Sequence, residues 1–383
     1  MKEDELLAWL RAREGEMALL LEALALAESP SLARSSLREA LDLLAAELRA
    51  VGYLPKRVRG FDAGGDHLYA RPVERARRAP RQLVVGHVDT VWPLGTVAAM
   101  TPRIEDGRLY GPGVYDMKGG LVQLVFALRA LDALGLQPTI TPVLFVNSDE
   151  EVGSGDSVRW IRMLARGAVR AFVLEPPAGS NGQLKTRRKG VGRFRLTVHG
   201  RAAHAGSSPE EGISAILELA RQVERLFALN DPDRGITVNV GTIDGGLRPN
   251  VVAPEATAMV DVRAPTREAA EHVEREIRAP GPLPRGLTVA LEGGFRRPPM
   301  VATPGNRELC RRARTLAARL GLAVGEAGLV GGASDANYTS ELTPTLDGLG
   351  ALGDGAHAAD EHVVVHALPE RAALLALLLL EPA

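Results

Sequence analysis

The chain has 383 residues, of which 45% are hydrophobic and 24% are charged, and its formal net charge is −1. This length exceeds the roughly 250 to 300 residues at which a single core stops growing, so we expect two domains. The near-neutral charge does not favour nucleic acid or an anionic membrane as a partner. The single cysteine, Cys310, excludes a disulfide framework and a thiolate metal cluster.

The N-terminal segment predicts two amphipathic helices. Apolar residues recur at helical spacing from Leu6 to Leu10 and again from Leu37 to Leu48, and "SPS" at 29–31 separates the two stretches. The first stretch carries acids throughout and lacks a basic start followed by an apolar run. We therefore expect no signal peptide, and together with the lone cysteine this indicates a cytoplasmic protein.

Strand and helix signals then alternate along the chain. Short apolar runs typical of strands occur at 82–90, 141–151 and 171–176, and helical patterns occur at 119–134 and 155–166. Alternation of this kind predicts a largely parallel sheet that is covered by helices on both faces.

The pattern changes between residues 190 and 297. Strand and helix signals follow the order β-α-β-β-α-β, which is typical of ferredoxin-like domains. Its first strand, "VGRFRLTVHG", alternates apolar and polar residues, as a half-exposed strand does. Because α/β signals resume with a helical pattern at 306–322, we expect an inserted domain at 189–297 within a discontinuous domain of residues 1–188 and 298–383. The apolar run at 372–380 is too short to cross a bilayer and predicts a buried closing helix.

Acidic or imidazole side chains follow all three strands of the first domain, and one more lies in a Gly-rich loop. They are His87, Asp89, Asp116, Glu150, Glu151 and Glu175. Because ligands of open α/β sheets bind at the carboxyl ends of the strands, we expect these side chains to lie close together. Imidazoles and carboxylates without thiolates suit Zn, Co or Mn.

The spacing of these residues suggests separate roles. His87 and Asp89 lie on one face of a strand, so Asp89 can accept the second ring N–H of His87. Adjacent Glu150 and Glu151 cannot point the same way from an extended chain. One can therefore bind a metal while the other serves as a general base.

Eight motifs, in this order, resemble the M20 metallopeptidases and amidohydrolases, and most of all the glutamate carboxypeptidase-like branch. They are "GHVDTV", "GPGVYDMKGG", "NSDEEVGS", "LEP", "GRAAHAG", "PNVVAPEATAMVDVR", "GGASDAN" and "GAHAADE". The family also includes aminoacylases and succinyl-diaminopimelate desuccinylases. The resemblance implies a zinc-peptidase-like α/β catalytic domain with an inserted ferredoxin-like α+β domain that serves for dimerisation and as a lid.

The resemblance also implies two divalent metal ions per subunit, zinc first, with cobalt or manganese as alternatives. His87, Asp116 and Glu175 would hold one ion, while Asp116, Glu151 and His357 would hold the other, so that Asp116 bridges them.

Three further residues receive catalytic roles from the resemblance. Glu150 would be the general base toward the attacking water, and Asp89 would be the partner of His87. His204, in the inserted domain, would reach across a homodimer to the charge that develops on the scissile carbonyl.

Other positions would bind the substrate. Asn250 and Arg297, or the adjacent Arg296, would receive its α-carboxylate, an anion that arginine can hold with two hydrogen bonds. Glutamate-selective relatives have a lysine where this chain has Gln183, with Lys185 nearby. The resemblance therefore does not imply a glutamyl preference.

The predicted function is a two-metal hydrolase that cleaves an amide or peptide bond next to a free amino-acid carboxylate. An N-acyl-amino-acid amidohydrolase is the alternative. A non-catalytic metal-binding protein on the same fold is less favoured, because Glu150 would then have no role. We expect a small peptide or N-acyl amino acid as substrate, a homodimer through the inserted domain, and neither nucleic acid nor membrane as a partner.

Overall fold

The structure, a computed structural model, describes residues 2–60, 65–74 and 79–382. The helices are α1 (Lys2–Arg11), α2 (Glu14–Leu26), α3 (Leu37–Ala50), α4 (Thr96–Ala99), α5 (Gly119–Ala133), α6 (Val158–Arg166), α7 (Ala215–Phe227), α8 (Arg267–Ile277), α9 (Pro304–Arg319), α10 (Ala336–Thr339) and α11 (Ala367–Leu380). The strands are β1 (Tyr53–Val58), β2 (His67–Pro72), β3 (Arg81–His87), β4 (Arg103–Glu105), β5 (Arg108–Tyr110), β6 (Thr141–Asn147), β7 (Arg170–Val173), β8 (Gly190–His199), β9 (Thr237–Gly245), β10 (Glu255–Ala264), β11 (Thr288–Arg297), β12 (Thr345–Leu346), β13 (Gly353–Asp354) and β14 (His362–Val364).

The chain divides into two units. The first comprises Met1–Arg187, Ala302–Val330 and Ser334–Ala383, and the second comprises Arg188–Val301 and Gly331–Ala333. The second unit is thus an insertion in the chain of the first.

A six-stranded sheet organises the first unit, in the order β1-β2-β6-β3-β7-β12. Strands β6, β3, β7 and β12 are parallel, whereas β2 pairs with β6 and with β1 in antiparallel fashion. The prediction of a largely parallel sheet is confirmed, with an antiparallel edge added to it. Helix α11 is buried along most of its length, as predicted for the closing helix. In the described part of the chain, no helix is long and apolar enough to cross a membrane.

The prediction of two N-terminal helices is wrong, because the stretch before "SPS" forms α1 and α2. In a continuous helix the amide of Arg13 would donate to the carbonyl of Trp9. Instead it donates to Leu10, 2.9 Å away, and the Arg13 guanidinium donates to the Trp9 carbonyl at 3.0 Å. The apolar spacing does not show this break, because buried residues of both helices, such as Leu6 and Leu21, belong to one core.

The second unit has the predicted order β8-α7-β9-β10-α8-β11. Its strands form an antiparallel sheet in the order β11-β8-β10-β9, which is the ferredoxin-like arrangement. Alternate residues of β8, namely Phe194, Leu196 and Val198, are buried in a core that includes Leu219 of α7 and Val273 of α8. The period of two in the sequence therefore reflects one covered face of this sheet.

Candidate metal centre

Three neighbouring parallel strands carry the predicted side chains to one edge of the large sheet. His87 is the last residue of β3 and pairs with Asn147, the last residue of β6. Glu150 and Glu151 follow β6, and Glu175 follows β7, which is the other neighbour of β3. The shared strand direction places these ends together, as the rule for parallel sheets predicts.

Two loops bordered by a small antiparallel sheet add the remaining side chains. The sheet has the order β13-β14-β5-β4. Asp116 lies in a turn at Val114–Lys118 that follows β5, and His357 lies in the connection between β13 and β14. Gly113, before the turn, has φ +70°, and a Cβ there would lie 2.5 Å from the methyl of Thr90, so the turn needs glycine at this position.

The structure brings the five predicted ligands together. Nε2 of His87 lies 3.3 Å from Oδ1 of Asp116 and 3.6 Å from Oε1 of Glu175. Nε2 of His357 lies 3.5 Å from Oδ2 of Asp116 and 3.3 Å from Oε2 of Glu151. The two carboxylate oxygens of Asp116 therefore face two different histidines.

These donor atoms fit divalent cations. Nε2 of His87, Oδ1 of Asp116 and Oε1 of Glu151 are buried without a hydrogen-bond partner, which is costly unless another ligand satisfies them. Among the described residues, potential ligand atoms within 4.8 Å of one another form two groups, one of His87, Asp116 and Glu151 and one of His87, Glu150 and Glu175. Imidazole and carboxylate donors suit Zn, Co or Mn. The second group includes Glu150, whose assignment as a base outside the ligand set stays a prediction.

The pKa values report an excess of negative charge in this cluster. Burial opposes protonation of His87, but the facing carboxylates, Asp116 foremost, raise its pKa well above the ordinary value. Asp116 and Glu151 raise the pKa of His357 to about 10. Burial raises the pKa of Glu151, whereas His357 and His87 outweigh burial and lower the pKa of Asp116. Protons and divalent cations compete for the same nitrogen and oxygen atoms of such a cluster, so metal binding there would depend on pH.

Asp89 is fully buried and holds the chain that follows β6. Its carboxylate accepts hydrogen bonds from the hydroxyl of Ser31 at 2.7 Å and from the amides of Glu150 and Glu151 at 3.2 and 3.1 Å. Nδ1 of His87 lies 2.9 Å from the main-chain oxygen of Asp89 and 3.5 Å from its carboxylate. The main-chain oxygen of Asp89 is therefore the nearer acceptor for the His87 ring, while its carboxylate accepts the two glutamate amides.

His204 lies in the second unit with a defined ring tautomer. Its Nδ1 accepts the amides of Gly206 and Ser207, each at 3.1 Å. A nitrogen that accepts carries no hydrogen, so the neutral ring carries it on Nε2. The side chain is exposed, and Nε2–H can act as a donor.

The predicted carboxylate-binding residues also lie in the second unit. Asn250 is exposed, and its carbonyl accepts the amide of Ala205 at 3.0 Å, beside His204. At the end of β11, Arg297 is buried and Arg296 is exposed. The pairing of β11 with β8 has a β-bulge at Arg296, between Phe295 and Arg297, so the two candidate arginines differ in burial at a point where regular pairing is interrupted.

Two buried charged residues that support the Asp116 turn were missed by the sequence analysis. Glu361 accepts main-chain amides of this turn, and Nζ of Lys118 donates to the carbonyls of Leu24 and Ala27 at 2.8 and 3.1 Å. Both lie inside quoted motifs, at the end of "GAHAADE" and within "GPGVYDMKGG". Their place inside these motifs was the sequence signal that could have identified them.

Comparisons with known proteins find a matching family, related sequences and similar folds. A model described as peptidase family M20/M25/M40 matches residues 83–381. Carboxypeptidase G2 of Pseudomonas sp. (strain RS-16) is 29% identical over 349 residues, which cover 89% of this chain and 83% of that protein. Succinyl-diaminopimelate desuccinylase of Paracidovorax citrulli is 28% identical over 358 residues, covering 85% and 88%. A Bacillus subtilis structure, described as a dinuclear metal binding peptidase from the M20 family, has a TM-score of 0.69 at 16% identity and covers 97% of this chain and 98% of its own.

Proposed function

The chain belongs to peptidase family M20/M25/M40 and is a metal-dependent hydrolase, and from this premise we propose that it cleaves an amide or peptide bond next to a free amino-acid carboxylate. The observation that carries the proposal is that buried ligand atoms of His87, Asp116 and Glu151 without a hydrogen-bond partner converge beside the carboxyl ends of the parallel strands. Similarity to carboxypeptidase G2 supports the carboxypeptidase type of reaction.

Two divalent ions per subunit, zinc first, are part of the proposal. His87, Asp116 and Glu175 would hold one ion, and Asp116, Glu151 and His357 would hold the other. The two oxygens of Asp116, each facing a different histidine, support a bridging role. When bound, the ions would polarise the scissile carbonyl and lower the pKa of the attacking water.

Glu150 is the proposed general base. It would take a proton from the attacking water and deliver it to the leaving nitrogen. Its side chain is largely buried, and its amide is held by the Asp89 carboxylate, so the main chain that carries it is fixed. Asp89 also accepts the His87 ring N–H through its main-chain oxygen.

The second unit would complete the site in a homodimer. His204 would donate Nε2–H to the carbonyl oxygen of a substrate bound to the partner, and Asn250 and Arg297 would receive the substrate carboxylate. Strand β9 is an edge strand, and apolar Ile243 and Leu247 on and beside it are exposed. An exposed apolar edge of this kind supports association of two chains.

N-acyl amino acids are the second candidate substrate class, which the similarity to a succinyl-diaminopimelate desuccinylase favours. Both classes present an amide next to a free carboxylate, so the same residues serve either one. A screen of dipeptides and N-acyl amino acids against metal-reconstituted protein, with release of free amino acid as the readout, separates them. No hydrolysis of either class would refute the proposed function.

The Glu150→Gln variant tests the mechanism. It keeps the shape of the side chain but removes its basicity, so we expect intact metal content and a kcat lowered by about 10²-fold or more. Glu105→Gln, at an exposed glutamate of the same unit, is the control and should leave kcat unchanged. Near-normal turnover by Glu150→Gln with full metal content would show that the base is another residue.

A further inference from the structure

Glu361 accepts hydrogen bonds from a set of main-chain amides that surround Asp116. Its side chain is buried, and Oε1 accepts the amides of Tyr115 and Asp116 at 3.0 and 3.1 Å. Oε2 accepts the amide of Gly113 at 2.9 Å and Nε1–H of Trp92 at 2.8 Å. Four donors thus converge on one carboxylate: two belong to the turn that carries Asp116, and a third, Gly113, directly precedes this turn.

Only a carboxylate satisfies this arrangement. An ionised carboxylate accepts through both oxygens and carries no hydrogen, so it can meet donors on both sides. With glutamine at this position, the side-chain NH₂ group would face either the donors of Gly113 and Trp92 or the amides of Tyr115 and Asp116. In both cases two hydrogen-bond donors would face each other. Because the group is buried, water cannot replace the lost acceptor.

The position of Glu361 in the chain connects two proposed ligands. It lies four residues after His357 in the connection between β13 and β14. Its own amide donates to Ala358 at 3.0 Å, and its carbonyl accepts the amide of Gly111 at 3.2 Å. One residue therefore bonds to the turn of Asp116 through its side chain and to the connection of His357 through its main chain.

We propose that Glu361 is a positioning residue that holds the Asp116 turn and the His357 connection at the separation that divalent cations require. The inference rests on the proposed metal site, and Glu361 acts through Asp116 and His357 without touching the ions or the substrate. Residues that orient metal ligands in this way typically change metal affinity or activity by about 10- to 100-fold when substituted.

The experiment measures Zn²⁺ affinity of the full chain by competition with a chromogenic chelator. For Glu361→Gln we expect a Kd raised by about 10- to 100-fold. Glu28→Gln is the matched control, since the Glu28 carboxylate also accepts two main-chain amides, of Gly95 and Val97, but contacts no proposed ligand. Its Zn²⁺ affinity should equal that of the wild type. Melting temperatures of the Zn²⁺-free forms are measured in parallel.

Two conservative variants keep the test decisive if Glu361→Gln does not fold. Glu361→Asp retains the carboxylate on a shorter stem, so we expect a Kd between those of the wild type and the glutamine variant. Trp92→Phe removes one donor and leaves the three amides bonded, so Zn²⁺ affinity should stay within about threefold of the wild type.

The outcomes separate this inference from the proposed function. Tight Zn²⁺ binding by the wild type and unchanged binding by folded Glu361→Gln or Glu361→Asp would overturn the inference alone. A lowered melting temperature with unchanged Kd would show that Glu361 only stabilises the fold, and would also overturn it. Absence of Zn²⁺ binding by the wild type would overturn the proposed metal site and this inference with it.

Discussion

Replacing Asp89 by asparagine removes one acceptor from the group that holds the proposed base. If the side-chain oxygen of the asparagine keeps the hydrogen bonds from the Ser31 hydroxyl and the Glu151 amide, its NH₂ group faces the amide of Glu150. The site is fully buried, so that amide is left without an acceptor, at a cost of about 1 to 3 kcal/mol. Should the whole cost fall on the placement of Glu150, kcat/KM decreases about 5- to 150-fold, since about 1.4 kcal/mol corresponds to a factor of ten.

The Asp89→Asn substitution should leave the metal content of the protein unchanged. The His87 ring bonds to the main-chain oxygen of Asp89 at 2.9 Å, closer than the carboxylate at 3.5 Å, and asparagine retains this nearer acceptor. We expect Asp89→Asn to lower kcat/KM at full metal content. Ser31→Ala is the control, because it removes one donor but leaves both glutamate amides bonded, and its kcat/KM should lie within about threefold of the wild type.

The assay combines steady-state kinetics with elemental analysis of each variant. Equal kcat/KM for Asp89→Asn and the wild type would refute the reasoning about the Glu150 amide. Loss of metal from Asp89→Asn would instead show that its carboxylate acts through His87.

The remaining predictions concern metal content, assembly and packing. Elemental analysis after reconstitution should give two divalent ions per chain, and a reproducible value near zero would refute the site. An inactive His204→Ala chain refolded with an inactive Glu150→Gln chain should recover up to about a quarter of wild-type activity, because half of the randomly assorted dimers are mixed and each has one restored site; no recovery in confirmed heterodimers would place His204 outside the partner's site. Gly120→Ala should destabilise the protein by about 1 to 3 kcal/mol or more, since its Cβ would lie 2.3 Å from the carbonyl oxygen of Leu174. Gly15→Ala, in an open position of α2, should stabilise the protein by about 0.5 to 1 kcal/mol. Equal denaturation midpoints for these two variants would contradict the packing argument.

Local periodicity was sufficient for most elements of the fold. The alternation of Phe194, Leu196 and Val198 predicted a half-covered strand, and the apolar runs before His87 and Glu175 predicted buried parallel strands. These predictions hold because burial acts on each element through its own side chains, at a period that the backbone sets. The fold class and the family followed from the same elements and from the order of the motifs.

Periodicity failed at the break between α1 and α2. There the Arg13 guanidinium donates to the Trp9 carbonyl in place of a main-chain amide, and the apolar positions continue across the break. The antiparallel edge was missed because its strands, β1 and β2, were not predicted. Their sequences, "YLPKRV" and "HLYARP", mix charged residues and proline with apolar ones and do not form the short apolar runs that marked the other strands of this sheet.

The sequence by itself determined which side chains form the candidate site and which strands carry them, because the histidine, aspartate and glutamate residues that follow the apolar runs can be identified directly in the sequence. Only the tertiary structure decided which atoms meet. The carboxylates of Asp89 and Glu361 bind main-chain amides that lie 61 and 248 residues away, those of Glu150 and Gly113. Every residue except proline carries the same main-chain amide, so the sequence does not identify the amides that a distant carboxylate will bind. Only the folded backbone brings those amides to the carboxylate.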